Sequence, residues 1–210
     1  MLKSYMLENC VNLRSGGLAL YVCQTNQELM VLLYVRKGDE LETVGCVSIQ
    51  EVRSHQWEVT GTVGAYPGLG AIVYQSALIE LHSRSTEATL HSDREYVSSH
   101  ALSLYHSMQN HPSCEKHPIS SCDDAFNSKF GRVLNTRYRL TPSQDMQCLH
   151  SELLRAHEAH NLSESQKSLL VEQSSYLGEW VEEHYHELLE ERNKHYPTLK
   201  QGRAVEFCED

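Results

Sequence analysis

The sequence is short of basic charge and has no long apolar run, and each absence argues against a class of protein. Its 210 residues include 18 lysines and arginines against 28 aspartates and glutamates, which gives a formal net charge of −10. A general nucleic-acid-binding role is disfavoured, because a phosphate backbone attracts basic patches. No stretch approaches the roughly 20 apolar residues that a membrane helix needs, and the first residues lack the apolar core of a signal peptide. The sequence therefore predicts neither a nucleic acid nor a membrane as partner.

Cysteine motifs are also scarce. The seven cysteines are scattered, their number is odd, and no Cys-x-x-Cys occurs. Several lie in apolar segments, as small hydrophobic residues do. Reduced thiols in a cytoplasm are the simplest interpretation.

The order of the predicted elements indicates an α+β core. Period-two alternation and short turns predict an antiparallel meander, and amphipathic spacing predicts helices. The predicted strands cover residues 18–23, 29–36, 44–52, 56–63 and 88–90. The predicted helices cover 1–17, 69–83, 99–109 and 124–134, and residues 110–124 are predicted to form a loop.

The sequence changes character after residue 142. Leucines and aromatic residues recur at helical spacing over residues 143–195, and Ser-x-x-Gln at 163–166 is a capping box that starts a second helix. The pattern predicts a core domain over 1–142 and a helical hairpin appendage with a tail over 143–210. The glutamate-rich second helix is either a docking or self-association surface, or a solvated cover for the protein's own core.

The most informative segment is a glycine turn, YPGLGAIVYQSAL at residues 66–78. A turn that starts a helix leaves main-chain N–H groups pointing outward, and the helix dipole favours an anion there, typically phosphate. Glycine is needed where a Cβ would block the approach of a ligand. The alternative is a plain tight connection between a strand and a helix.

Several segments together resemble a known superfamily. The glycine turn and its helix resemble the acetyl-CoA pyrophosphate loop of the GCN5-related N-acetyltransferases (the GNAT superfamily), and VSSHALSLYHSM at 97–108 resembles that superfamily's second signature. SDREYVSSHA at 92–101, Cys-Asp-Asp at 122–124 and LNTRY at 134–138 are similar to acetyltransferase-like proteins of bacteriophages. The resemblance covers about residues 45–140 and implies a mixed, largely antiparallel twisted sheet with flanking helices.

The resemblance implies an acetyl-CoA site. The pyrophosphate would be held by the turn, and the pantetheine would lie beside the fourth strand at residues 60–63, where that strand splays from the fifth. Ser98, at the start of the later helix, is a further predicted contact. The predicted coenzyme-binding residues are therefore Val63, Gly68, Leu69, Gly70, Ala71 and Ser98.

The resemblance also implies direct acetyl transfer to an amine. Tyr105 matches the tyrosine that protonates the departing thiolate, a role that suits a phenol. The alternative is a half-buried helix aromatic with a solvated hydroxyl. Glu58, or Glu51 on the preceding strand, would take the proton from the ammonium group of the acceptor, and the alternative for each is a solvated strand carboxylate.

Two departures from the family pattern weaken the enzymatic interpretation. Ala65 stands where the phosphate loop normally begins with Gln or Arg, and only about 17 residues precede the first strand instead of a strand and two helices. Those helices wall the acceptor site, so the wall is shortened or the C-terminal hairpin replaces it. The alternative function is a catalytically inactive phage protein that serves as a virion component or binds a host protein.

The resemblance predicts the partners and the location as well. They are acetyl-CoA, an unknown amine acceptor, a host or virion protein bound through the C-terminal helices, and a second copy in a homo-oligomer. The location is the host cytoplasm, or a virion.

Two smaller motifs have a structural and a functional interpretation. Asp93 and the following arginine are read as a local ion pair at a helix entrance, with contact to substrate or coenzyme as the alternative. His111, Cys114, His117 and Cys122 supply four zinc-competent ligands. Their spacing matches no common zinc finger and histidine is abundant, so no metal is predicted and a structural zinc is the alternative.

Overall fold

The structure is a computed structural model that describes residues 17–25, 27–65, 68–93, 97, 99–119 and 131–184. Within these ranges one open sheet has the strand order β1-β2-β3-β4-β5-β7-β6. Only the β4–β5 pair is parallel. The strands are β1 (Leu18–Gln24), β2 (Glu28–Lys37), β3 (Glu40–Arg53), β4 (Gln56–Gly64), β5 (Thr89–His91), β6 (Cys114–Pro118) and β7 (Thr136–Leu140).

The helices flank this sheet. They are α1 (Leu69–Arg84), α2 (Ser99–Asn110), α3 (Gly131–Leu134), α4 (Gln144–His160) and α5 (Glu164–Glu183). The predicted α+β class is confirmed, as are the mostly antiparallel mixed sheet and the two C-terminal helices. No helix in the described ranges is long and apolar enough to cross a membrane.

The central strands are buried on both faces because helices cover both faces. β2 is apolar without alternation from Val31 to Val35, as a strand covered on two sides must be. The neighbours Gly45 and Cys46 in β3 point to opposite faces. A Cβ on Gly45 would contact Val73 of α1, whereas the Cys46 thiol lies 4.0 Å from the Ser174 carbonyl of α5.

The C-terminal hairpin packs on the face opposite α1. Leu170 and Leu177 of α5 are buried. Gln173 bonds to two main-chain groups of β3: its Oε1 accepts from the Thr43 N–H at 2.9 Å and its Nε2 donates to the Leu41 carbonyl at 2.9 Å. The predicted capping box at Ser163 is present. The hairpin therefore completes the protein's own core through α5.

Helix α4 links this face to α1. In its first half, His150 Nε2 lies 2.7 Å from Glu80 Oε1 of α1. Near its end, the Tyr34 hydroxyl lies 3.0 Å from His157 Nδ1 and 2.8 Å from His160 Nδ1. A phenol has one hydrogen, so it donates to one ring and accepts from the other. Burial raises the pKa of Tyr34 to about 12 and lowers the pKa of both histidines below their ordinary value.

We expect these histidines to make the protein less stable in mild acid. Their pKa is lowered in the folded state. Their contribution to the free energy of unfolding is therefore fully present above about pH 6.5, the pKa of histidine in the unfolded chain. It declines as the pH falls below that value, because the unfolded chain then binds protons that the folded chain refuses. The urea concentration at the unfolding midpoint should decrease when the pH is lowered from 7.5 to 5.5. The decrease should be smaller in the double variant His157→Asn and His160→Asn. Equal decreases in both proteins would contradict this origin.

The sequence prediction was wrong at the far edge of the sheet. Residues 110–124 were predicted to form a loop, but Cys114–Pro118 is strand β6, paired with β7. Only Cys114 of this strand is buried, so the apolar alternation that identifies a strand is missing. Charges and a proline are typical of edge strands that resist further pairing. Of the predicted helix over 124–134, only Gly131–Leu134 is described, and it is helical. Residues 1–16 of the predicted helix over 1–17, and the hairpin beyond residue 184, lie outside the described residues.

Candidate functional site

Strands β4 and β5 separate shortly after they meet. They pair only over three positions, of which the last joins Glu58 to His91. β5 ends there, whereas β4 continues to Gly64. The register of β4 against β3 also shifts, because Gly61 faces Ser48 while Val59 faces Ile49. Thr60 is thus an extra residue, a bulge of the kind that bends a strand and increases its twist. Beyond His91, β4 has no described strand neighbour on its β5 side, and we call this open edge the cleft.

Main-chain groups of β4 face this cleft. The Ala65 N–H donates to the Val44 carbonyl at 2.9 Å, so Ala65 points its main-chain groups toward β3. Because bonding alternates along an antiparallel ladder, the main-chain groups of Gly64 and Thr62 point away from β3, toward the β5 side. Beyond His91, β5 offers them no partner. A ligand with amide groups can therefore bond to this edge as a further strand would.

The first turn of α1 lies next to the end of β4. Gly68 begins the turn with φ 91°, a left-handed conformation that favours glycine. A Cβ on Gly64 would lie only 2.9 Å from the Gly70 nitrogen, so glycine at position 64 allows the strand end and the helix start to touch. The predicted phosphate-binding residues are therefore adjacent to the open edge of β4.

The first residues of a helix carry main-chain N–H groups that have no intrahelical partner. The first described helical bond of α1 runs from the Ile72 N–H to the Gly68 carbonyl at 3.4 Å. Among the described residues, no carbonyl accepts from the N–H groups of the three residues between them. The first turn contains no acidic residue. A Cβ on Gly70 would meet no atom of the described residues within 4 Å, so these residues leave that space open. The turn is thus suited to an anion.

A carboxylate–imidazole pair lies where the strands separate. Glu58 Oε2 is 4.0 Å from His91 Nε2, and their side chains are 23% and 8% exposed. His91 Nδ1 lies 2.9 Å from the Ser92 carbonyl, which can only accept, so Nδ1 carries a hydrogen. His91 Nε2 is then the ring atom that gains or loses a proton beside Glu58. The arrangement can hold a proton at the closed end of the cleft.

Tyr105 lies inside the core. Its side chain is 1% exposed, and its hydroxyl lies 3.0 Å from the Tyr74 hydroxyl. The ring stacks on Tyr138 with centroids 6.0 Å apart. Burial, and then the neighbouring Tyr74, raise the pKa of Tyr105 well above its ordinary value. The phenol stays protonated at neutral pH but becomes a weaker acid. The predicted role of Tyr105 as general acid stays a prediction.

The remaining predicted residues lie at scattered positions. The Val63 side chain packs toward α5, where a Cβ on Gly178 would be 3.7 Å from it. Glu51 accepts a hydrogen bond from the His55 N–H at 2.9 Å. Asp93 acts on the pKa of Tyr74 and Tyr105, so it lies near that tyrosine pair. Ser98 and the arginine after Asp93 lie outside the described residues.

The alternative zinc site is not assembled in the described part of the chain. Cys114 and His117 are three residues apart in a strand, so their side chains point to opposite faces. Burial raises the pKa of the Cys114 thiol to about 11, which disfavours the thiolate that zinc needs. Across the described ranges, no three His, Cys, Asp or Glu side chains converge. Cys122 lies outside them.

His91 is the site residue that sequence reasoning missed. Its signal was a polar residue that ends the short apolar run Ala88–Leu90, just where a strand beside β4 would end. The partner of that position could not be known before the parallel pairing of β4 and β5 was known.

Comparison with protein-family models, with curated proteins and with solved structures finds no match to this chain.

Proposed function

We propose that this protein is a GNAT-like N-acetyltransferase that binds acetyl-CoA between β4 and β5 and transfers the acetyl group to an amine. The observation that carries the proposal is the position of the α1 amides. N–H groups of a helix start, from which no carbonyl in the described part of the chain accepts, lie beside a strand edge whose neighbour has just ended. A diphosphate followed by a chain with amide groups matches these two features in that order. The resemblance of residues 66–78 and 97–108 to the superfamily supports the same ligand.

In this proposal the diphosphate binds at the first turn of α1. The N–H groups from Gly68 to Ala71 donate to its oxygens, and the helix dipole adds to the attraction. The amides of the pantetheine bond to the outward main-chain groups of Thr62 and Gly64. Gly61 leaves open space on the same strand, since a Cβ there would meet nothing within 4 Å. The thioester then lies toward the Glu58 end of the cleft.

The proposed chemistry requires the acceptor nitrogen to lose two protons, the first before it attacks and the second afterwards. A primary amine is mostly an ammonium ion at neutral pH and cannot attack. Glu58, paired with His91, takes the first proton from the ammonium group, directly or through one water. The neutral nitrogen attacks the thioester carbonyl, a C–N bond forms, and the C–S bond breaks. The thiolate of CoA takes the second proton of the nitrogen, and Glu58 releases the first to solvent.

The acceptor side of the cleft is assigned to the C-terminal hairpin. The superfamily walls this side with N-terminal helices, whereas here α5 packs on β2, β3 and β4. The contact of Gly178 with Val63 brings α5 to the outer part of β4. We infer that α5 forms the wall on the acceptor side. The phage resemblance supports a host cytoplasmic or virion location and a host or viral acceptor.

A Gly70→Ala variant tests the coenzyme site. Its Cβ enters space that none of the described residues fills, so folding should be unaffected or slightly strengthened, by about 0.5 kcal/mol. In the wild type, acetyl-CoA at 100 times its Kd should stabilise the protein by about 2.7 kcal/mol. The variant should lose most of this stabilisation in a thermal melt, because the methyl group occupies the phosphate's approach.

Gly178→Ala is the matched control. It also replaces a helical glycine and meets only an ordinary contact, so its melt should respond to acetyl-CoA as the wild type does. If neither acetyl-CoA nor CoA shifts the wild-type melt, the coenzyme proposal fails. A catalytically inactive binding protein would then be the better account.

A further inference from the structure

Helix α5 carries an exposed apolar stripe, which we call the outer stripe. It consists of Leu169, Tyr176 and Trp180, whose exposed fractions are 43%, 60% and 37%. Their spacing of seven and four residues places them on one side of the helix over about 16 Å. The buried residues Leu170 and Leu177 lie on another side. Aromatic side chains at this exposure are more typical of binding surfaces than of solvated helix faces.

A groove continues from the start of the outer stripe. It has a volume of about 460 Å³ and lies between α5 and the β2–β3 turn. Leu169 contributes to its apolar lining together with Val35 and Leu41. The outer stripe is therefore joined to a concave apolar surface.

Both borders of this surface are acidic. Asp39, Glu40 and Glu42 line the groove, where Lys37 is the only basic residue and already pairs with Glu42 at 3.5 Å. Glu172 and Glu183 lie one helical turn from Tyr176 and Trp180 and are exposed. Within the described residues, no lysine or arginine pairs with either of these two.

We propose that the outer stripe and its groove bind a basic amphipathic helix of a partner protein. The apolar side of that helix packs on Trp180, Tyr176 and Leu169, and its lysines or arginines meet the carboxylates on both borders. A second copy of this chain fits poorly, because its α5 would bring glutamates against glutamates. The tail over 185–210 holds six acidic and four basic residues, so it does not complement the surface either. This proposal does not depend on acetyl transfer.

Fluorescence of the full-length protein tests whether the outer stripe is open. Of the two tryptophans, Trp57 is 6% exposed and Trp180 is 37% exposed. Acrylamide should quench about half of the tryptophan emission, and Trp180→Phe should remove the quenchable part. Quenching that is absent in the wild type would mean that the chain covers its own stripe, which overturns the proposal.

Binding is tested with a labelled 18-residue peptide of leucine and lysine at helical spacing. Fluorescence anisotropy should give a micromolar Kd that weakens about tenfold between 50 and 300 mM salt, since exposed charges are screened. Tyr176→Ser should weaken binding at least tenfold. Glu172→Gln with Glu183→Gln should weaken it about threefold and reduce the salt dependence. Glu182→Gln, on the other side of α5, is the control and should bind normally.

Three outcomes would overturn the proposal. The first is that a peptide of the same composition but without amphipathic spacing binds equally well, which would indicate charge attraction alone. The second is that the Tyr176→Ser variant binds the peptide as tightly as the wild type. The third is that sedimentation shows a dimer that Tyr176→Ser dissociates, which would make a second copy the occupant.

Discussion

Leu170→Ala should destabilise the whole protein by about 3 kcal/mol, in a single unfolding transition. Leu170 lies in α5, has no exposed surface, and belongs to the same core as the central strands. Its removal leaves a cavity between α5 and β3, where the Thr43 hydroxyl donates to the Leu170 carbonyl at 3.1 Å. For a chain of this size, the loss corresponds to a fall in Tm of roughly 6 to 12 °C.

The neighbouring residue is the matched control for this experiment. Leu169→Ala removes the same atoms from the same helix, but Leu169 is 43% exposed. Its cost should stay within about 0.5 kcal/mol, as is usual for surface positions. The expected single transition would be contradicted if Leu170→Ala unfolded in two separate transitions, the first of them the unfolding of α4 and α5. The hairpin would then be an independent appendage.

The meander and the hairpin could be predicted because their physical causes are local. Strands β1 to β4 are separated by short turns, and each is a run of residues with high strand propensity. The capping box at Ser163 needs only the four residues that form it. Strands β6 and β7 were not predicted. β6 has a single buried residue and therefore no alternation, whereas β7 does alternate over its five residues and was missed. The place of β7 between β5 and β6 depends on the whole sheet.

The candidate site shows the same difference between features with local causes and features that depend on long-range pairing. The glycine turn was predicted because the conformations open to Gly68 and Gly70 depend on the residue type itself. The burial of Tyr105 was not predicted, because an amphipathic helix shows which side is apolar but not how deep that side lies. The contact of Glu58 with His91 joins residues 33 positions apart across a parallel pair that no local pattern specifies. His91, the residue that depends on this pairing, was thus the one that the sequence did not identify.

Glu58→Gln is the variant with the largest expected effect on activity. If Glu58 removes the proton from the acceptor's ammonium group, its loss should lower kcat about 100- to 10,000-fold at pH 7. The change replaces one oxygen by nitrogen in a side chain that is 23% exposed, so the fold and the coenzyme site should remain. The measurement is release of CoA thiol from acetyl-CoA in the presence of a panel of primary amines. Stabilisation by acetyl-CoA should be unchanged in the same variant.

The pH dependence separates a base from a residue that only supports the fold. Glu58→Gln should recover activity as the pH approaches about 10, because an alkyl amine near its own pKa no longer needs a base. Glu28→Gln, an exposed carboxylate at the start of β2, should leave kcat unaltered at every pH. A Glu58→Gln protein that works within threefold of the wild type at pH 7 would remove Glu58 from the mechanism. A variant that stays inactive at pH 10 while still binding acetyl-CoA would mean that the carboxylate positions the acceptor instead of accepting its proton.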